Sequence, residues 1–180
     1  MRVIAGRLGG RRLKAPKGVA TRPTSERVRE ALFSMLGELA GCTVLDLFAG
    51  TGALGIEALS RGARMVVFVE HGERATRALT ENLRALEIGA GEAEVRRIGA
   101  LAALRSAQMR KETYDLVLID PPYEQADAWG PQLSAVLPAL LAPRARVVVE
   151  SDRRAPVALD LEVERQRTYG DTSITIHRNQ

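Results

Sequence analysis

The sequence predicts an α/β domain, a mostly parallel seven-stranded sheet with helices on both faces, preceded by a small basic β-hairpin. Three observations predict it. Short apolar, β-branched runs alternate with helical periodicity from residue 43 onward. The first run flows into Gly50, Gly52 and Gly55, a G-x-G-x-x-G turn between a strand and a helix. A later run, Leu116 to Ile119, stops at Asp120-Pro121-Pro122-Tyr123. Proline cannot extend a ladder and forces the residue before it into extended geometry, so Asp120 sits at the carboxyl end of a buried central strand.

The elements follow in order. Val3, Ile4 and Leu13 flank Gly6, Gly9 and Gly10, the pattern of a hairpin carrying arginines. The expected division is a basic extension over 1–20 and the main domain over 21–180. Thr24 is placed to cap a helix whose apolar face is Val28, Leu32, Met35 or Leu36, and Leu39, with Glu26 in the first turn and Gly41 ending the run. Strands are expected near 43–48, 65–70, 93–98, 114–120 and 145–151. Helices are expected near 53–61, 73–87, 100–110 and 127–142. This alternation implies parallel strands covered on both faces. Two more strands, near 161–168 and 172–178, meet at Tyr169-Gly170-Asp171 and close the sheet antiparallel.

Composition narrows the class. The chain has 180 residues, enough for one full core, and 46% are hydrophobic. No apolar run is long enough to span a bilayer, and the start, Met-Arg-Val-Ile-Ala-Gly-Arg, is charged too soon for a secretory signal. One cysteine, Cys42, excludes an internal disulfide, fits a reducing cytoplasm, and reads as a small buried hydrophobe before a strand. Two histidines and one cysteine, widely separated, make no metal site.

The net charge of +4 is unevenly spread. Residues 1–29 hold nine basic side chains against one acid, a net of +8, so the remaining 151 residues carry −4. Arg2, Arg7, Arg11, Arg12, Lys14 and Arg22 therefore form the candidate nucleic-acid contact, attracting phosphates without reading sequence. A merely solubilising tail is the plainer alternative, disfavoured because the cluster is joined to an apparent base-binding site.

That site is Asp120 to Tyr123. The carboxylate and the Pro121 carbonyl can accept the two hydrogens of a ring amine while the ring stacks on Tyr123, and Pro122 stiffens the turn. The alternative is an ordinary strand-ending turn. The glycine loop supplies a second ligand site. Glu70 lies 20 residues after Gly50, at the end of the next strand, where an acid can accept both ribose hydroxyls of an adenosine group. Asp46, four residues before Gly50, can face a cationic amino-acid moiety but would repel a pyrophosphate. The chain is also too short for a dehydrogenase catalytic domain. S-adenosylmethionine is thus favoured over a dinucleotide.

The segments Arg22-Pro23-Thr24-Ser25-Glu26-Arg27-Val28-Arg29-Glu30-Ala31-Leu32-Phe33, Asp46-Leu47-Phe48-Ala49-Gly50-Thr51-Gly52 and Asp120-Pro121-Pro122-Tyr123 together resemble the class I S-adenosylmethionine-dependent methyltransferases. Within them they resemble the bacterial 16S rRNA guanine-N2 methyltransferase family (RsmD-like), and the likeness covers nearly the whole chain. The resemblance implies a Rossmann-like fold and methylation of a guanine 2-amino group in 16S rRNA, on the 30S subunit or its late assembly intermediate. It assigns Asp120, Pro121, Pro122 and Tyr123 to catalysis. It assigns Asp46, Phe48, Ala49, Gly50, Thr51, Gly52, Glu70, His71, Ala100 and Leu101 to the cofactor. No obligate protein partner and no membrane are implied. One departure is the stretch Val95 to Leu101, which lacks the acid or amide that often holds adenine. The rival readings are a DNA adenine amino-methyltransferase, for which the chain is short of a target-reading region, and a non-catalytic RNA-binding assembly factor. Intact Asp46, Glu70 and Asp120 argue against the latter.

Overall fold

The computed structural model describes residues 1–15, 25–122 and 126–179. Seven strands form one sheet: β1 (Thr43–Leu47), β2 (Met65–Val69), β3 (Ala93–Arg96), β4 (Tyr114–Ile119), β5 (Leu141–Asp152), β6 (Glu162–Tyr169) and β7 (Thr172–Arg178). Their order is β3-β2-β1-β4-β5-β7-β6. The first five are parallel, and β7 runs antiparallel between β5 and β6. The order reverses between β1 and β4, and the carboxyl edge at that reversal is where open α/β sheets hold ligands.

Among the described residues five α-helices cover the two faces: α1 (Glu26–Leu36), α2 (Ala53–Ser60), α3 (Glu73–Ala85), α4 (Ala100–Met109) and α5 (Ala126–Val136). Leu32, Phe33, Ile56, Leu59 and Leu79 bring α1, α2 and α3 onto one face, against Val44, Val66, Phe68 and Leu118. Ala103, Leu104 and Leu133 bring α4 and α5 onto the other, against Leu45, Val67, Val117 and Val147. Strand residues two apart share a face, so one strand feeds both cores.

Several boundaries differ from expectation for identifiable reasons. Ser25 caps α1, accepting the Val28 N–H at 3.2 Å; Thr24 lies outside the described residues. The helix ends at Gly37, with φ 68°, rather than at Gly41, although Leu39 beyond it is fully buried. The expected helix over 127–142 stops at Val136. Pro138 opens a 3-10 turn over Leu137–Leu140, and β5 begins four residues earlier than the apolar pattern suggested. That strand bulges between Leu141 and Arg146, with Arg144 at φ 63°. β3 is shorter than expected, ending at Arg96.

The N-terminal extension is a short hairpin. Arg2 and Arg12 form an antiparallel bridge, flanked by the Val3 N–H donating to the Arg11 carbonyl at 2.9 Å and the Leu13 N–H to the Met1 carbonyl at 3.0 Å. Val3, Leu8 and Leu13 are buried in the same core as α1, α2 and α3. Its docking is polar as well. Glu57, fully buried on α2, accepts the Ile4 N–H at 2.7 Å and the Ala5 N–H at 3.1 Å. Ser60 accepts the Leu8 N–H at 2.9 Å and donates to the Ala5 carbonyl. Gly6 passes so close that an added Cβ would lie 1.9 Å from the Ser60 carbonyl oxygen. The described part of the extension, residues 1–15, thus packs into the domain core.

Candidate active site

The site is built at the carboxyl edge of β2, β1, β4 and β5. Asp46 faces the same core as Val44, by the two-residue strand period, and is 2% exposed. It accepts the Gly55 N–H at 2.9 Å, pinning the first turn of α2 to β1. Burial, opposed by that hydrogen bond and aided by the charge of Glu70, pushes its carboxyl up to about 7.

Between Asp46 and α2 the chain must turn sharply. Phe48 adopts φ 69°, a conformation that costs a non-glycine residue about 1 kcal/mol or more. The Ala49 N–H donates to the Val69 carbonyl at 2.9 Å. Gly52, at φ 81°, begins α2 where a Cβ would lie 2.3 Å from Leu79. Glu70, just past β2, closes the loop from below: its two carboxylate oxygens accept the Gly50 N–H at 2.9 Å and the Gly72 N–H at 2.6 Å. A carboxylate has about four acceptor directions, so roughly two remain for a ligand's hydroxyls. His71 beside it is exposed, its Nδ1 3.5 Å from Glu70.

Asp120 follows β4 on the same face as Asp46 and Leu118, and it is partly buried. Pro121 is buried and Pro122 exposed; Tyr123 lies outside the described residues. The β4–β5 register sets Ile119 beside Val149, so Asp120, just past β4, neighbours Glu150 on β5. Burial first, then the charges of Glu150 and Asp46, raise the Asp120 carboxyl well above the usual range. Acids on four successive strands therefore face one edge, an environment suited to a cationic ligand. Among the described residues no group of three His, Cys, Asp or Glu is arranged to hold a metal ion.

Ala100 and Leu101 are the first residues of α4, whose opening N–H groups lack intrahelical acceptors. Ile98, 38% exposed just before them, adds an apolar surface that sequence reasoning passed over. Trp129, on α5, meets Phe48 edge to face with centroids 4.7 Å apart. Of the basic residues, Arg2 pairs with Glu26 at 3.0 Å, Arg7 with Glu92, and Lys14 with Glu81 at 3.2 Å. Arg11 donates to the Ala85 carbonyl at 2.8 Å, Arg12 is exposed, and Arg22 lies outside the described residues. Cys42 is half-buried, and desolvation raises its thiol, which makes a nucleophilic role unfavourable.

Residues missed from the sequence share one signal, a polar side chain at an apolar-periodic position. Arg29 sits beside Val28 and Leu32 on the inner face of α1, is fully buried, and donates to the Arg2 carbonyl. Burial lowers its guanidinium, against the raising charges of Glu57, Glu26 and Glu150. Glu57 and Asn82 interrupt the inner faces of α2 and α3 in the same way.

A glycine-rich turn after β1, an acid after β2 and a second acid, followed by two prolines, after β4, in this strand order, define a Rossmann-like class I methyltransferase fold. Residues 1–178 match the family described as Conserved hypothetical protein 95. The chain is 38% identical over 187 residues to YlbH of Bacillus subtilis, covering 99% of this chain and 98% of that one. It is 32% identical over 182 residues to the ribosomal RNA small subunit methyltransferase D of Haemophilus influenzae, covering 99% and 94%. The solved structure of Escherichia coli yhhF superposes with a TM-score of 0.84 at 33% identity, over 100% of this chain and 98% of that one. The chain belongs to the ribosomal RNA small subunit methyltransferase D family.

Proposed function

We propose that this protein is a cytoplasmic rRNA methyltransferase that modifies the 2-amino group of a guanine in 16S rRNA, on the 30S subunit or a late assembly intermediate. The observation that carries the reading is the placing of two acids at the carboxyl edge of the sheet. Glu70 holds the glycine loop from β2 while Asp120 stands two strands away, beyond β1, on the same edge.

The residues fit S-adenosylmethionine, which supplies a methyl group already activated on a sulfonium. The two remaining acceptor directions of Glu70 suit the ribose hydroxyls. The α4 amides at Ala100 and Leu101 suit adenine ring nitrogens, with Ile98 as an apolar flank. Asp46 stiffens the loop through Gly55 and adds to the negative edge that favours a cationic ligand.

Asp120 and the Pro121 carbonyl accept the two hydrogens of the guanine amine. This draws its lone pair out of the ring and aims it for in-line attack. Alignment is their main contribution, because the methylated nitrogen sheds its proton readily. The base must leave its stack, at a cost of a few kcal/mol, and stacking on Tyr123, worth roughly 1–3 kcal/mol, would offset much of that. The rRNA reading draws on the named Haemophilus relative, and the guanine-N2 specificity on the family resemblance.

The test is methyl transfer from labelled cofactor to 30S subunits, naked 16S rRNA and duplex DNA, with nuclease digestion to identify the product. N2-methylguanine in 30S subunits is the expected outcome. Label found only in DNA adenine, or in no substrate, would refute it.

A further inference from the structure

One buried side chain joins the basic extension to the glycine loop. Asn82, on the inner face of α3, is 1% exposed. Its amide oxygen accepts the Lys14 N–H at 2.8 Å. Its amide nitrogen donates to the Lys14 carbonyl at 3.1 Å and to the Thr51 carbonyl at 3.0 Å. Both amide hydrogens and an oxygen lone pair are thus committed within one planar group.

The two ends of this bridge lead to different surfaces. The Lys14 ammonium is exposed and pairs with Glu81, and Arg11 donates to the Ala85 carbonyl, so the extension grips α3 at the solvent side of Asn82. Thr51 lies between Gly50, whose N–H is held by Glu70, and Gly52, which opens α2. A backbone displacement at Lys14 must therefore either break the Asn82 hydrogen bonds or move the Thr51 carbonyl. Losing them would leave buried polar groups unpaired, the costlier outcome.

We propose that Asn82 is a positioning residue that couples RNA phosphates on the N-terminal extension to cofactor affinity in the glycine loop. The inference rests on the function proposed above. Phosphates held by Arg11, Arg12 and Lys14 keep the extension from fraying, so Asn82 keeps both partners and the loop stays in its binding geometry. Cofactor then binds more tightly to the RNA-bound enzyme, and by linkage RNA binds more tightly to the cofactor-bound one.

The experiment measures the dissociation constant of labelled S-adenosylhomocysteine, which cannot react, for the full chain with and without saturating 30S subunits. Wild type should bind it roughly fivefold more tightly in their presence, at the lower end of common couplings. In Asn82→Ala the ratio should fall to near one, even where each affinity alone is reduced. A merely structural asparagine would weaken binding without changing the ratio. A wild-type ratio of one, or an unchanged ratio in a folded Asn82→Ala, overturns the proposal. Should the variant fail to fold, hydrogen exchange in the wild type decides: 30S subunits should slow exchange at Gly50 and Gly52, and unchanged rates overturn the coupling. Failure of either ligand to bind wild type separately would instead count against the proposed function.

Discussion

The carboxylate of Asp46 accepts the Gly55 N–H at 2.9 Å while only 2% exposed, so one buried acid fixes the start of α2 on β1. Its folded carboxyl lies at about 7, above the ordinary 3.8. The native protein therefore holds a proton that the unfolded chain releases, so the contribution is present below about pH 4 and lost as pH rises through 7. Asp46→Asn keeps an oxygen for Gly55 and cannot ionise. It should raise the melting temperature by several degrees at pH 8, with little gain at pH 4, while weakening cofactor binding. Thermal melts across this range and cofactor calorimetry check both halves.

His177 should contribute with the opposite sign. It is 2% exposed, its Nδ1 lies 3.1 Å from the Leu161 carbonyl, and burial lowers it from 6.5. The unfolded chain takes up a proton that the native protein resists, so stability falls as pH drops below about 6.5. Comparing melts of wild type and His177→Gln isolates this from Asp46. The difference between them should shift in favour of the variant from pH 7.5 to pH 5.

Asp120→Ala should nearly abolish methyl transfer and leave cofactor affinity largely intact, because this acid follows β4, two strands from Glu70 and the loop it holds. Asp120→Asn keeps one acceptor oxygen and should retain a measurable rate. Single-turnover transfer to 30S subunits, paired with cofactor calorimetry, separates the two effects. Wild-type turnover in Asp120→Ala would remove this acid from catalysis.

Glu70→Gln should weaken cofactor binding by about tenfold or more, since hydrogen bonds to a charged group contribute about 1.5–3 kcal/mol each. It also replaces one acceptor oxygen by an NH2 group that would face the Gly50 or Gly72 N–H. An unchanged dissociation constant would place the ribose elsewhere.

Replacing Arg7, Arg11, Arg12 and Lys14 together by alanine should weaken binding to 30S subunits while the protein stays folded. The ion pairs lost, Arg7–Glu92 and Lys14–Glu81, are exposed, and such pairs contribute little. Each phosphate contact removed should reduce the slope of log affinity against log salt by about 0.7–0.9. The same affinity and slope in the variant would make the cluster a solvated surface only.

The strand-helix alternation, the glycine turn and the Asp120-Pro121 stop were legible because each is local: periodicity, a forced φ, a missing donor. Glu70 was legible by spacing. What could not be read were distances across the fold. Asp46 looked like a group open to ligand, and its commitment to Gly55 depends on how α2 leaves the loop. The early start of β5 was hidden because Leu140, Leu141 and Ala142 suit a helix as well as a strand, and the sheet decided between them. The extension read as a basic hairpin because its charges dominate its composition, and how it docks on the domain was not legible. Its buried Val3, Leu8 and Leu13 meet their apolar partners only in the folded core, while Glu57 and Ser60 take its backbone N–H groups.

That docking divides the work within the extension between main chain and side chains. The domain grips the backbone N–H groups of Ile4, Ala5, Leu8 and Lys14, which any residue except proline can offer. The exposed side chains between these grips add only solvent-side contacts, Arg7 with Glu92, Arg11 with the Ala85 carbonyl and Lys14 with Glu81. On the function proposed above, their number and spacing can be retuned for a different phosphate contour without rebuilding the domain beneath, which would make the extension an exchangeable docking surface on a fixed body.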